Sequence, residues 1–183
     1  MPPKIKITKE QMIDGALALV RSQGVGALNA RALATALGCS TQPIFSNFAN
    51  MDALKVAVAK RATERLNAFT AEEIATGEYL PYKAVGIAYV RFAKEEKELF
   101  KLLYMDNVDA IRENNQQSWE SAVANLQANG YSRKDAERVH TEMWVFVHGL
   151  ATTIATGYMD WDFSVVSEMM TDVFQGVKNG IQH

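Results

Sequence analysis

A segment of twenty residues, from Asn29 to Phe48, constrains the fold more than any other part of the sequence. Good helix formers fill residues 30–37, and the apolar residues among them recur at helical spacing. Asn29 offers a side-chain oxygen that can cap the start of this helix. Gly38 can end it, because glycine adopts the left-handed conformation at no steric cost. The sequence therefore predicts a short helix followed by a tight turn.

A second short helix is predicted directly after that turn. Ser40 and Thr41 can cap it, and Pro43 falls in its first turn, where a missing N–H is tolerated. Three apolar residues are expected to form its inner face: Ile44, Phe45 and Phe48. Short polar side chains are left on the outside: Thr41, Gln42, Ser46 and Asn47. The pattern is that of a helix with one buried and one hydrogen-bonding face.

Two interpretations fit this pair of helices. In a helix-turn-helix motif, the second helix reads base edges in the major groove through short polar side chains, while the first crosses the backbone. The alternative is an αα-hairpin with a polar outer face and no role in DNA binding.

Three stretches taken together resemble the TetR family of one-component transcriptional repressors: Thr8–Gly24, Asn29–Phe48 and Asn50–Leu54. In that family they form helix 1, the helix-turn-helix and the start of helix 4. The resemblance covers the first third of the chain. It implies an all-α, TetR-like fold, with a three-helix head that binds DNA and a helical body that binds ligand and dimerises.

The chain departs from the family pattern at two positions. Phe45 stands where the family usually has a tyrosine, so a hydroxyl that contacts phosphate is missing. Met51 stands where a lysine usually contacts phosphate. Lys55 lies one helical turn further on and can replace that contact.

The charge distribution favours DNA binding by one end of the chain. Residues 1–61 carry eight basic and three acidic side chains, a net charge of +5, whereas the whole chain has a net charge of −2. The rest of the chain is therefore acidic. A basic head on an acidic body suits a protein that contacts nucleic acid with the head only.

The predicted partner is a pseudo-palindromic double-stranded DNA operator. The residues assigned to DNA binding are Lys6, Asn29, Arg31, Ser40, Thr41, Gln42, Pro43, Ser46, Asn47 and Lys55. Gln42 and Asn47 are the best candidates for base contacts, because amide side chains pair with adenine in a bidentate way. Lys6 belongs to a basic N-terminal arm that either reaches phosphates or is a solvated tail.

The remainder of the chain is predicted to be helical. Thr8 and Gln11 form a capping-box signature for the first helix, and Asn50 and Ser132 are predicted to cap two later helices. The helix after Asn50 should be long and continue to about Ile74, which places the domain boundary inside it: a DNA-binding domain over 1–66 and a ligand-binding and dimerisation domain over 67–183. Further helices are expected over residues 81–94, 99–105, 108–129, 132–155 and 164–180, with the charged corner 94–98 as a solvated turn.

The last two helices are predicted to form a homodimer. The segment Trp144–Leu150 resembles the dimerisation helix of TetR proteins, and both helices are more apolar than one core face requires. Pairs from two subunits can form a four-helix bundle about a two-fold axis. The predicted interface residues are Phe146, Leu150, Ile154, Val166, Met169, Met170, Val173 and Val177. The alternative is that these faces are buried within their own subunit.

A ligand cavity is a better prediction than an active site. The sequence contains no GxSxG, P-loop, GxGxxG or CxxC motif, and His140 and His148 are two helical turns apart, too far for a paired metal site. We therefore expect no enzyme, no metal and no cofactor.

Ligand cavities are mostly apolar and aromatic with a few polar anchors. The candidate lining residues, for a small apolar or aromatic molecule, are Phe100, Tyr104, Trp119, Trp144 and His148. Each of them can also be an ordinary core residue.

The expected location is the cytoplasm. No apolar run is long enough to span a bilayer, the N-terminus lacks the apolar core of a signal peptide, and the single cysteine, Cys39, permits no internal disulfide. The favoured function is a ligand-responsive repressor. The alternative is a helical binding module that acts through a protein partner or a bound metabolite, without binding a specific operator.

Overall fold

The computed structural model describes residues 7–105 and 110–181, with side chains described for 7–105 and 116–181. These residues form helices and contain no strand, which confirms the predicted all-α fold class. The helices are α1 Lys9–Gln23, α2 Ala30–Ala36, α3 Gln42–Asn47, α4 Met51–Thr76, α5 Pro81–Glu95, α6 Lys97–Tyr104, α7 Ala110–Ala128, α8 Arg133–Ala155 and α9 Phe163–Asn179. A short 3₁₀ helix, Val25–Ala27, lies between α1 and α2. None of the described helices combines the length and the apolar character needed to cross a membrane.

Local hydrogen bonds fix the starts of the helices where the sequence predicted them. At α1 the Gln11 amide donates to the Thr8 hydroxyl at 3.2 Å, and the Thr8 amide donates to the Gln11 side chain at 2.9 Å, a complete capping box. Asn50 caps α4 by accepting from the Ala53 amide at 2.8 Å. Ser132 caps α8 by accepting from the Asp135 amide at 3.1 Å. Each of these caps satisfies an amide that has no partner within its helix.

Three local predictions need correction. Thr41 precedes α3, but its side chain makes no capping hydrogen bond. The charged corner is not simply a solvated turn, because Glu96 is buried and α6 already begins at Lys97. Helix α9 begins at Phe163, one residue earlier than expected, with Asp162 at the cap position. The predicted break at residues 106–107 lies outside the described residues.

The described residues divide into two compact units. The first lies within residues 1–65 and 98–111, and the second within 66–97 and 112–183. Helix α4 contributes residues to both units, and α6 belongs to the first except for Lys97. The functional division predicted at residue 66 stays a prediction.

The first unit packs α1, α2, α3 and the start of α4 around buried apolar side chains. Its fully buried members include Met12, Ala16, Leu33, Ile44, Leu54 and Val58. Gly15 allows α1 and α2 to approach closely, since a Cβ at this position would lie 2.8 Å from Cδ2 of Leu37. Arg61 on α4 forms ion pairs with Glu10 and Asp14 on α1, which fasten the two helices together.

In the second unit α5, α8 and α9 pack against one another. Helices α5 and α8 run parallel, because Tyr82 contacts His140 and Tyr89 contacts His148. Helix α9 runs antiparallel to both, with Tyr82 beside Phe174. Buried residues of α7 and α8 form a hydrophobic cluster: Val123, Leu126, Ala136, Val139 and Met143. Half-buried residues of α5 and α9 pack against this cluster.

The end of α5 holds the loop between α8 and α9. The Lys94 ammonium lies 2.6 Å from a carboxylate oxygen of Asp160 and donates to the carbonyl of Trp161 at 3.3 Å. Its hydrogen bond to Asp160 lowers the pKa of that carboxyl. The loop is therefore attached to α5, the helix that carries Tyr82 and Tyr89.

Candidate nucleic-acid interface and ligand site

The turn between α2 and α3 has the geometry that the sequence predicted. Asn29 caps α2 by accepting from the amides of Arg31 and Ala32 at 3.1 and 2.9 Å. Gly38 has a φ of +64°, the left-handed region that only glycine adopts without strain. Ile44 and Phe48 are buried against the first unit and hold the inner face of α3. The opposite face of α3 is consequently open.

The polar side chains of that face are exposed but differ in their hydrogen bonding. The Ser46 hydroxyl donates to the carbonyl of Gln42 at 3.0 Å, and the Asn47 amide donates to the carbonyl of Pro43 at 2.9 Å. Both bonds tie the side chain to the backbone of its own helix. Gln42 stands one turn before Ser46 with its amide exposed, and it is the best placed of these side chains to meet a base edge.

Phe45 was predicted to lie on the inner face of α3. This prediction is wrong, because 53% of the Phe45 surface is exposed. Ile44 and Phe48 alone fill the inner face, and Phe45 lies about 100° around the helix from Ile44. An aromatic ring therefore flanks the exposed polar side chains of α3.

The remaining predicted DNA contacts lie around this face. Arg31 and Ser40 are exposed, whereas Thr41, Pro43 and Lys55 are half-buried. The Lys55 ammonium lies 3.7 Å from the carboxylate of Asp52, one turn earlier on α4. Lys6 lies outside the described residues. Lys9, at the start of α1, lies with its ammonium 5.1 Å from the centre of the Phe48 ring, a cation–π contact that joins α1 to the end of α3.

An aromatic and histidine-rich group lies along α8 in the second unit. The Trp144 and His148 rings are stacked, with centroids 5.0 Å apart and planes within 4°. Nδ1 of His148 lies 2.9 Å from the hydroxyl of Tyr89 on α5, at hydrogen-bonding distance. Burial lowers the pKa of His148, so the neutral imidazole is favoured at neutral pH.

A second group repeats this arrangement two turns earlier on α8. Nδ1 of His140 lies 3.0 Å from the hydroxyl of Tyr82, and the ring of Trp119 on α7 contacts His140 edge-on with centroids 4.4 Å apart. Burial lowers the pKa of His140 and raises the pKa of Tyr82. These pairs could not be predicted from residue spacing, because their members are 58 and 59 residues apart in the sequence.

The other predicted ligand residues belong to the first unit. Phe100 on α6 is fully buried, and its ring contacts that of Tyr104 with centroids 5.0 Å apart. Phe100 and Tyr104 stay candidates from the sequence.

The predicted dimer residues divide into two groups within one chain. Leu150, Ile154, Val166 and Met170 are buried. The others are half-buried: Phe146, Met169, Val173 and Val177. Phe146, Val173 and Val177 pack against the cluster centred on Val139. Little of the first group's surface remains for a partner subunit, so the exposed positions of α8 and α9 are better candidates for an interface.

The exposed positions of the two helices include small and apolar residues: Val145 and Gly149 on α8, and Val165 and Gly176 on α9. The acidic residues Glu168 and Asp172 are also exposed on α9, between Val165 and Gly176. A Cβ built on either glycine meets nothing within 4 Å. A glycine within a helix costs about 1 kcal/mol relative to alanine, and nothing in this chain's packing requires either one.

Residues 82–174 match the family model described as the tetracyclin repressor-like C-terminal domain. No curated protein sequence matches the chain. Among solved structures, the chain is similar to a protein of unknown function from Rhodococcus sp. RHA1, with 25% identity and a TM-score of 0.72 over 90% of this chain and 92% of that one.

It is also similar in fold to the multidrug binding protein EbrR complexed with imidazole, at 18% identity and a TM-score of 0.65, with 94% of each chain covered. A variant of TetR from Acinetobacter baumannii AYE in complex with minocycline gives 18% identity and a TM-score of 0.63, over 94% of this chain and 97% of that one. The family model spans half of the sequence, and the helices follow the same fold over nearly the whole chain. The chain thus belongs to the TetR family of transcriptional regulators.

Proposed function

We propose that this protein is a homodimeric repressor that binds a pseudo-palindromic operator through α3 and releases it when a small apolar or aromatic molecule binds the second unit. The observation that carries the proposal is the open face of α3. The buried side chains of Ile44 and Phe48 anchor that helix in the first unit, so its polar residues face outward. A rigid, outward-facing polar helix in a basic domain is suited to the major groove.

Dimerisation is proposed because one helix of six residues reads too few bases to select a site. Two copies related by a two-fold axis would read two half-sites about 34–36 Å apart, or a multiple of that distance. The exposed glycines of α8 and α9 support an isologous interface, since Gly149 and Gly176 would let helices of a second copy approach closely. The two glycines lower helix stability within one chain, and close packing of helices in a dimer would explain why they are present.

The ligand is proposed to bind along the aromatic and histidine side chains of α5, α7 and α8. Trp144 supplies a ring face, and Tyr89 with His148 supplies a polar anchor that is neutral at physiological pH. This combination favours an uncharged or weakly polar planar molecule. The similar structures of EbrR complexed with imidazole and of a TetR variant in complex with minocycline support the proposal that this chain binds a small molecule.

Helix α4 is the proposed route of coupling, because it contributes residues to both units. A ligand that favours a different packing of α4 in the second unit would change the spacing of the two reading helices. Its effect on operator affinity is limited to its differential affinity for the two packings, typically about 5- to 150-fold. By reciprocity, operator DNA must weaken ligand binding by the same factor.

The test is a selection of genomic DNA fragments with the full-length protein, followed by fluorescence anisotropy on the recovered site at several salt concentrations. We expect a specific site with two-fold symmetry and an affinity that falls steeply with added salt. Compounds that raise the thermal unfolding temperature are then titrated against the operator complex. Failure to recover any site would reject the DNA-binding proposal, and a tight ligand that leaves operator affinity unchanged would reject the regulatory part alone.

A further inference from the structure

Phe45 is an exposed aromatic residue in the middle of the proposed reading helix. More than half of its surface is accessible, although the flanking Ile44 is fully buried. Exposing a phenylalanine ring to water forgoes a large gain from burial. The contact that would bury this ring is therefore expected outside the first unit.

The position of Phe45 on α3 identifies its surroundings in a DNA complex. It lies three residues after Gln42, so the two side chains are neighbours on the helix surface. A helix that brings Gln42 to a base edge consequently brings the Phe45 ring to the same groove, one side chain away.

The chemistry of the ring restricts what it can recognise there. Phenylalanine has no hydrogen-bond donor, so it cannot bind a phosphate oxygen or the polar edge of a base. The C5-methyl group of thymine is the apolar group that base pairs present in the major groove, and phenylalanine is among the side chains that contact it. We infer that Phe45 reads a thymine methyl group in each half-site and so helps determine operator sequence. This inference rests on the proposed DNA-binding function.

The inference can be tested by removing one methyl group at a time. In the selected operator, each thymine is replaced in turn by deoxyuridine, which keeps the hydrogen-bonding edge but lacks the methyl group. Wild-type protein should lose about three- to fivefold in affinity at one thymine per half-site, the value of one buried methyl group, and little at the others.

The variants F45A and F45L complete the test. F45A should bind the unmodified operator more weakly than wild type and should be insensitive to deoxyuridine at the same thymine. F45L keeps an apolar side chain and should retain part of the sensitivity. L80A, which changes an 81% exposed apolar residue outside α3, should show the wild-type deoxyuridine profile. Because Phe45 is exposed, F45A should keep the wild-type thermal unfolding temperature, which checks that the variant is folded.

The outcomes separate this inference from the proposed function. Tight, salt-dependent operator binding that is unaffected by deoxyuridine at every thymine would overturn the inference and leave the DNA-binding function intact. A deoxyuridine effect of the same size in F45A would also overturn it, since another side chain would then read the methyl group. Absence of operator binding under all conditions would reject the proposed function, and the inference with it.

Discussion

The carboxylate of Glu73 on α4 accepts a hydrogen bond at 2.8 Å from Nη1 of Arg91 on α5. Glu73 is only 5% exposed, so its charge is compensated within the protein rather than by water. The Arg91 guanidinium also lies 5.3 Å from the centre of the Phe69 ring, one turn before Glu73 on α4. The hydrogen bond to Glu73 raises the pKa of Arg91 and keeps it charged. The two side chains thus attach the end of α4 to α5.

Removing Arg91 should destabilise the protein strongly. Arg91→Ala would leave the Glu73 carboxylate buried without its cation, and breaking a buried pair in this way costs about 3–5 kcal/mol. The free energy of unfolding is measured by urea titration at pH 7. Arg133→Ala is the matched control, because its ion pairs with Glu120 and Glu137 are exposed to solvent and should contribute little to stability. Equal effects of the two variants would contradict the buried role of the Glu73–Arg91 pair.

If α4 is the route of coupling, a weaker anchor should also change regulation. Glu73→Gln removes the charge but keeps a side chain that can hydrogen-bond to Arg91. We expect this variant to bind operator, because the α3 face is untouched, and to show a smaller ligand effect on operator affinity than the wild type. Anisotropy titrations with and without ligand measure this coupling factor. An unchanged factor would place the coupling outside the Glu73–Arg91 contact.

The side chains of α3 should contribute unequally to operator binding. Gln42→Ala should cost about 1–3 kcal/mol at the operator and little on random DNA, as expected for a bidentate base contact. Asn47→Ala should cost less, because the Asn47 amide already donates to the Pro43 carbonyl and one of its hydrogen-bonding groups is used within the helix. Competition binding with operator and random DNA gives both values. A larger loss for Asn47→Ala would mean that its intrahelical bond is exchanged for a base contact in the complex.

The sequence predicted the local features of this fold well, because their causes are local. The capping box at Thr8, the Asn29 cap and the left-handed Gly38 depend on residues within a few positions of one another. Side-chain hydrogen bonds over such short separations can be inferred from residue type and spacing. The same reasoning predicted the caps at Asn50 and Ser132.

The features that the sequence did not predict require the packed structure. Glu73 and Arg91 lie on different helices, and the tyrosine–histidine pairs join helices far apart in the chain. The spacing of apolar residues along α8 is the same whether Leu150 and Ile154 are buried within one subunit, as they are here, or in a dimer interface. Phe45 was assigned to the wrong face because a helix of six residues has fewer than two turns, too few for apolar spacing to define a face.

The two tyrosine–histidine pairs should make stability depend on pH. Burial lowers the pKa of His140 and His148 in the folded protein, while the ordinary value of 6.5 applies to the unfolded chain. Each histidine's contribution is therefore fully present above pH 6.5 and is lost as the pH falls from there through the folded pKa, because the unfolded chain binds the proton more tightly.

Replacing both histidines tests this pH dependence. The double variant His140→Asn, His148→Asn should be less stable than wild type at pH 8 but should lose less stability between pH 8 and pH 5. Urea unfolding of both proteins across this range gives the free energy of unfolding as a function of pH. The difference between the two slopes excludes the carboxylates, because they contribute equally to both proteins. Parallel stability curves would show that the two histidines titrate alike in the folded and unfolded states.

The proposed dimer is best tested at a residue that the single chain does not need. Val173 is half-buried against the subunit's own cluster, so a charge there would disturb the monomer and the interface together. Val145 on α8 is 58% exposed, and Val145→Glu should leave the subunit folded while placing a carboxylate in the proposed interface. We expect this variant to sediment as a monomer at micromolar concentration and to lose operator binding, since a single reading helix cannot span two half-sites.

Val85→Glu is the matched control, because Val85 is 44% exposed on α5, and it should remain a dimer that binds operator. If Val145→Glu stays dimeric with wild-type operator affinity, the exposed face of α8 around Val145 is not the interface. If wild-type protein itself sediments as a monomer, two-fold reading of the operator is excluded.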